Sequence, residues 1–302
     1  MSQFFLLLLA WSVMLLFCLS WGWLWFHRLR ERRPLLPSQN RLRRVSWKFQ
    51  DVALILAMFL FFPTLFMEIF AFTQSETTLR ELRFPTVTSE TETFQTHHPL
   101  QEFLQKNPSC WKFVFAFFFA AGIVPLTEEF VFRLVLQGWV EARERERFPA
   151  QKAGWRAVFI VAVLFSLLHL RLGTPLYPSE KAMGFQFSMS ALAEMTTVLL
   201  GILLLRSTGS SWKMMGFDRT RWKSDLQLGI LAFSLVALPT YCLQAFLSWL
   251  LAGICSPDAV TLLPISIVFG ILYWRTKRLL PSVTVHVLLN AVSIAVAFLT
   301  LP

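Results

Sequence analysis

Glu128, Glu129 and Arg133 fall in one strongly apolar stretch of this 302-residue chain, His169 in a second, and His286 with Asn290 in a third. At the depth of the lipid hydrocarbon a carboxylate or guanidinium costs several kcal/mol even after relaxation. Such groups therefore pair with one another or line a wet cavity that has a task. Two carboxylates, two imidazoles and an amide supply a base, hydrogen-bond donors and the donor types of a metal site. Those are the parts of a hydrolytic centre.

Spacing refines the picture. Glu129 and Arg133 are four apart, so on a helix they face the same side and an ion pair is easy. Glu128 is turned about 100° away from Glu129 by the helical period and is free to face something else. His286 and Asn290, in H-V-L-L-N, share one helix face, and Phe165 stands one turn before His169 in F-S-L-L-H. Pro125 removes a backbone donor and is expected to kink or restart its helix just before the carboxylates, with Thr127 helping to satisfy the freed groups.

The elements that must position these residues are read from composition. Hydrophobic residues make up 55% of the chain and charged residues 15%, with a mean hydropathy of +0.55. A soluble protein of this size could not hide so much apolar surface. The formal net charge of +10 by itself suggests a nucleic-acid binder, but the basic residues form short clusters between apolar runs, as at membrane edges; nucleic acid is not an expected partner.

Apolar runs of about 17 to 25 residues lie near 4–26, 51–73, 112–140, 157–170, 185–205, 226–252, 259–274 and 282–300, the fourth and seventh being short. The expected fold is an all-α polytopic transmembrane helix bundle of about eight spans with its site in an intramembrane cavity. Two N-terminal spans and a polar loop (1–110) precede the catalytic core (111–302). Basic clusters follow alternate spans, around 28–48, 143–156, 206–223 and 275–278. The positive-inside rule puts those loops in the cytoplasm and both termini outside, in a multi-pass cell-membrane protein. The first span lacks a basic leader and is followed by the largest cluster, so it is expected to be an uncleaved anchor.

Measured by helical rise from those clusters, Glu128, Glu129, His169 and Asn290 all lie roughly 18–20 Å from the inner edge, with His286 one turn shallower. Three spans thus bring polar groups to one level, as they would around one cavity.

Other features read as structural. Trp21, Trp23 and Trp25 are expected interfacial anchors. Met183, Met189 and Met195 pack or face lipid. His97 and His98, in the polar loop 73–110, lack metal-site spacing. Cys18 and Cys242 are expected to be buried, and Cys110 and Cys255 fall where a disulfide is chemically permitted. There is no C-x-x-C, P-loop, G-x-G-x-x-G or internal repeat.

E-E-F-V-F-R at 128–133, F-S-L-L-H at 165–169 and H-V-L-L-N at 286–290 resemble the motifs E-E-x-x-x-R, F-x-x-x-H and H-x-x-x-N of the CPBP intramembrane proteases. These are the type II CAAX prenyl endopeptidases and their bacteriocin-processing and immunity relatives. The resemblance covers about residues 111–300, and two long spans separate the second motif from the third. It implies an endopeptidase acting on a membrane-tethered or hydrophobic peptide, of which prenylated C-terminal tails are the eukaryotic example. Glu128 would be the general base, His169 would hold the attacking water, His286 and Asn290 would stabilise the oxyanion, and Glu129 with Arg133 would orient and offset charge. No cofactor is required in this scheme.

Two alternatives stay open at this level. In one, Glu128, His169 and His286 are ligands of a Zn2+ ion with an open fourth position, although H-E-x-x-H is absent. In the other the chain is an inactive binding or immunity protein, or less readily a proton-coupled transporter.

Overall fold

The computed structural model describes residues 2–31, 45–72, 103–104, 109–148, 154–170, 180–251 and 258–299. His97, His98 and Cys255, and with Cys255 the disulfide that is chemically permitted to Cys110, lie outside the described residues.

The described residues form eight helices: α1 (Ser2–Glu31), α2 (Phe49–Ala71), α3 (Cys110–Arg147), α4 (Trp155–Leu168), α5 (Glu180–Ser207), α6 (Trp222–Leu250), α7 (Asp258–Thr276) and α8 (Leu280–Leu299). No strand occurs among the described residues. Seven of the eight are long and apolar enough to cross a membrane. The exception is α4, with 14 residues. At about 1.5 Å per residue it is roughly 21 Å long, short of the ~30 Å hydrocarbon core. His169 caps its end. The fourth expected span is therefore a helix shorter than a full crossing, with His169 at its end.

Helix α3 is central. From Glu129 to Val135 every side chain is buried, the signature of a helix enclosed on all sides. It runs without a break from Cys110 to Arg147, but in two stretches, Phe117–Ile123 and Glu129–Gln137, it widens into π-helical turns. Pro125, expected to kink or restart the helix, stands in the first turn of the short α-helical segment between the two wide stretches, and the helix continues through it. Insertions of this kind recur at functional sites because they re-aim the side chains that follow. Here Glu128 ends the α-helical segment between them, and Glu129 opens the second wide stretch.

The other helices pack around α3. Val52, Ile55 and Met58 of α2 join Phe130, Phe132, Leu134, Phe165 and Leu205 in one core. A second core joins α6, α7 and α8. A third closes one end of α3 with Phe103, Leu104, Met183 and Ile294. Helix α1 packs on α6 and α8 and otherwise faces outward, with Trp21, Trp23 and Trp25 exposed. Cys18 and Cys242 are exposed rather than buried. An apolar residue on a membrane helix is as well placed against lipid as against protein, so apolarity alone does not indicate burial.

Gly201 fixes how α5 meets α3. A Cβ there would come within 2.7 Å of the ring of Phe130, and that ring is fully buried. Gly201→Ala should therefore destabilise the fold by about 1–3 kcal/mol through overpacking, read as a lower unfolding temperature in detergent.

Candidate active site

Glu128 is the hub. Its Oε1 lies 3.5 Å from Nε2 of His169, and its Oε2 lies 3.6 Å from Nε2 of His286. His286 continues through Nδ1 to Glu129 Oε1 at 3.3 Å, and Glu129 Oε2 is 3.5 Å from Arg133 Nε. A single polar chain thus runs from the end of α4 through α3 and α8 back into the core of α3.

Each member is held by aromatic packing and hydrogen bonds. Arg133 is fully buried, its guanidinium 5.3 Å from the centre of the Phe165 ring and 5.8 Å from that of Phe269. Its Nη2 donates to Ser266 Oγ at 2.7 Å. His286 stacks on Phe269 with centroids 4.9 Å apart and planes 22° apart. Phe165, packed edge-on to Phe132 and tilted against His169, explains structurally why an aromatic precedes the histidine by one turn.

The tautomer of neutral His169 follows from its partner. Nδ1 meets the carbonyl oxygen of Phe165 at 2.8 Å. A carbonyl only accepts, so Nδ1 carries the hydrogen and Nε2 presents a lone pair toward Glu128. Two acceptors then face each other, which calls for a donor reaching both.

Asn290 is tied to the irregularity in α3. In the first wide turn Val124 N–H donates five residues back, to Phe119 O; in the same register the partner of Ala120 O is Pro125, which has no N–H. Asn290 Nδ2 donates to that carbonyl at 2.7 Å, while Thr127 Oγ1 donates to Ile123 O at 3.0 Å. One Asn290 amide hydrogen is thus committed to the backbone and the second is left for a ligand. Asn290→Ala should cost about 1–3 kcal/mol by orphaning a carbonyl in the bundle, again measurable as thermal unfolding in detergent.

Five of the six expected residues are therefore linked in one cluster, including His286 despite the long insertion before it, because α8 packs directly on α3, while Asn290 stands one turn further along α8 and bonds the Ala120 carbonyl. The residue missed from sequence is Glu194 of α5. Its carboxyl faces Thr127 and Glu128, with Oε2 enclosed. It is the sole charged residue between Lys181 and Arg206, so the criterion that exposed the other carboxylates applied to it equally.

Among the described residues, no three His, Cys, Asp or Glu side chains are grouped to hold a metal ion. His169 and His286 address different oxygens of Glu128, and the three groups that zinc would need address one another.

The cluster opens at His169, whose side chain is 32% exposed against 11% for Glu128 and 7% for His286. Leu167, Leu168 and Leu170, beside it, are exposed and apolar.

A family model described as type II CAAX prenyl endopeptidase Rce1-like matches residues 110–218 and 217–292, more than half of the chain and all three motifs. No curated protein and no solved structure matches it. With the family's motifs gathered around one buried glutamate in a multi-pass helical membrane protein, the chain belongs to the type II CAAX prenyl endopeptidase Rce1-like family.

Proposed function

We propose that this protein hydrolyses a peptide bond of a membrane-tethered or hydrophobic substrate, prenylated tails included, with Glu128 as general base and without a metal ion. The observation that carries this is the pair of contacts at Glu128, one oxygen toward each of two histidines in the interior of the bundle.

Water held between His169 Nε2 and Glu128 Oε1 loses a proton to Glu128 as it attacks the scissile carbonyl. Glu129, already paired with Arg133, holds the His286 ring through Nδ1 so that Nε2 faces Glu128 and the substrate. The uncommitted Asn290 hydrogen then meets the oxyanion, joined by His286 Nε2–H when the ring between Glu129 and Glu128 carries hydrogens on both nitrogens, a contribution of about 3–4 kcal/mol where one such donor has been removed from other enzymes. The aromatic walls exclude bulk water, which strengthens these interactions.

The apolar rim at the end of α4 supports entry of the substrate from the lipid side. With the basic loops in the cytoplasm, the centre lies roughly 18–20 Å from the inner edge and both termini lie outside.

The test is cleavage of quenched hydrophobic and farnesylated peptides by the purified protein, with His169→Ala alongside and with and without a chelator. Cleavage lost in the variant and indifferent to chelator supports the glutamate mechanism. Chelator sensitivity reversed by zinc would transfer the same residues to metal ligation. Wild-type protein that cuts no peptide would favour a binding role.

A further inference from the structure

Hydrolysis of an amide needs a proton for the leaving nitrogen as well as a base for water, and the six motif residues supply no dedicated donor. The structure offers one from outside the motifs. Glu194 lies on α5, and Gly201 lies seven residues further on, two turns and therefore on the same face. Since Gly201 is in contact with the buried ring of Phe130, that face is pressed against α3, and Glu194 is delivered to the level of Thr127 and Glu128. Ala193 and Thr197, beside it on α5, are fully buried.

Enclosure assigns the proton. Glu194 faces Thr127 and Glu128 of α3, the Thr127 hydroxyl lies 3.0 Å from the Ile123 carbonyl, and Glu194 Oε2 is enclosed with no hydrogen-bond partner among the described residues. An ionised oxygen enclosed without a donor is costly, whereas a carboxylic acid is not. The cluster that Glu194 adjoins contains Glu128, Glu129 and Arg133 of α3, His169 at the end of α4 and His286 of α8, and Arg133 is already paired with Glu129.

We propose that Glu194 is the general acid of this centre: it protonates the departing amine while Glu128 takes the proton from water. This rests on the hydrolytic reading above. The step balances. Water gives its proton to Glu128 and its hydroxide to the carbonyl carbon; the C–N bond breaks; the nitrogen takes the Glu194 proton. The Glu128 proton then returns through the site to Glu194, restoring both groups. No oxidant, reductant or cofactor takes part.

The test compares a farnesylated peptide with its depsipeptide twin, in which an ester replaces the scissile amide. An alkoxide leaves without help from a strong acid, whereas an amine does not. In Glu194→Gln, kcat for the amide should fall about 10²–10⁴-fold, while kcat for the ester stays within about fivefold of wild type, KM being little changed for both. Retained ester hydrolysis also shows that the variant is folded. Glu194→Asp should recover part of the amide rate. Equal loss on both substrates would overturn the proposal in favour of a structural role for Glu194, and undiminished amide cleavage would overturn it outright. Glu128→Gln, losing both activities, marks the hydrolytic reading itself; if wild-type protein cleaves neither substrate, that reading fails and this one with it.

Discussion

Replacing Glu128 by glutamine should reduce peptide cleavage by about 10²–10⁴-fold or to the limit of detection, with the protein still folded. Glutamine preserves the length and the amide can still hydrogen-bond a histidine, so the contacts to His169 and His286 at 3.5 and 3.6 Å lose charge but not shape. What disappears is the capacity to accept a proton from water, and general-base contributions are typically of that size. The measurement is initial rates on a quenched peptide, paired with thermal unfolding in the same detergent. A variant that unfolds as wild type does and retains its rate would remove Glu128 from the chemistry. The stability side of the prediction is informative too. Glu128 is nearly buried among acidic neighbours, so neutralising it should leave the unfolding temperature unchanged or raise it slightly.

The opposite balance is expected at Arg133. Arg133→Met should destabilise the protein by about 3–5 kcal/mol, because it leaves Glu129 as a buried carboxylate without its cation. Glu129 is wholly enclosed, and the remaining neighbour across its carboxyl is His286. The partner effect can be isolated. In the double variant Glu129→Gln/Arg133→Met the stranded charge is gone, and a large part of the lost stability should return, giving a coupling of about 1–3 kcal/mol in a double-mutant cycle. Arg133→Lys should not rescue it fully. A point ammonium cannot reach both Glu129 and Ser266 from within reach of the Phe165 and Phe269 rings as the guanidinium does. Unfolding curves of the four proteins decide the matter: additive losses would mean that the pair is energetically inert and that Arg133 serves only as packing.

These two residues show why one part of the site is more legible than another. The Glu129–Arg133 pairing is local. Four-residue spacing on one helix brings the groups together whether the turn is α-helical or slightly wider, and the pair is found at 3.5 Å. The partners of Glu128 are not local. His169 and His286 reach it from α4 and α8, and their approach depends on which faces those helices turn toward α3. Likewise Asn290 was readable as a polar group at the right depth, but its bond to Ala120 O exists only because the π-helical register leaves that carbonyl without a donor.

Taken alone, the order of residues determined the membrane class, the helical fold, the position of most spans along the chain and the three motifs, because hydropathy is a property of short segments. Only the tertiary structure decided that α4 ends after 14 residues, that α8 and not an intervening helix closes the site, that Cys18 and Cys242 face outward, and that Glu194 faces Glu128. In a soluble protein, polarity marks the outer face of each helix. In lipid both faces are apolar, so the sequence carries little signal for which face turns inward, and that choice is made by packing: a glycine that admits a ring, a phenylalanine that carries an imidazole, a proline whose missing N–H draws an asparagine to it.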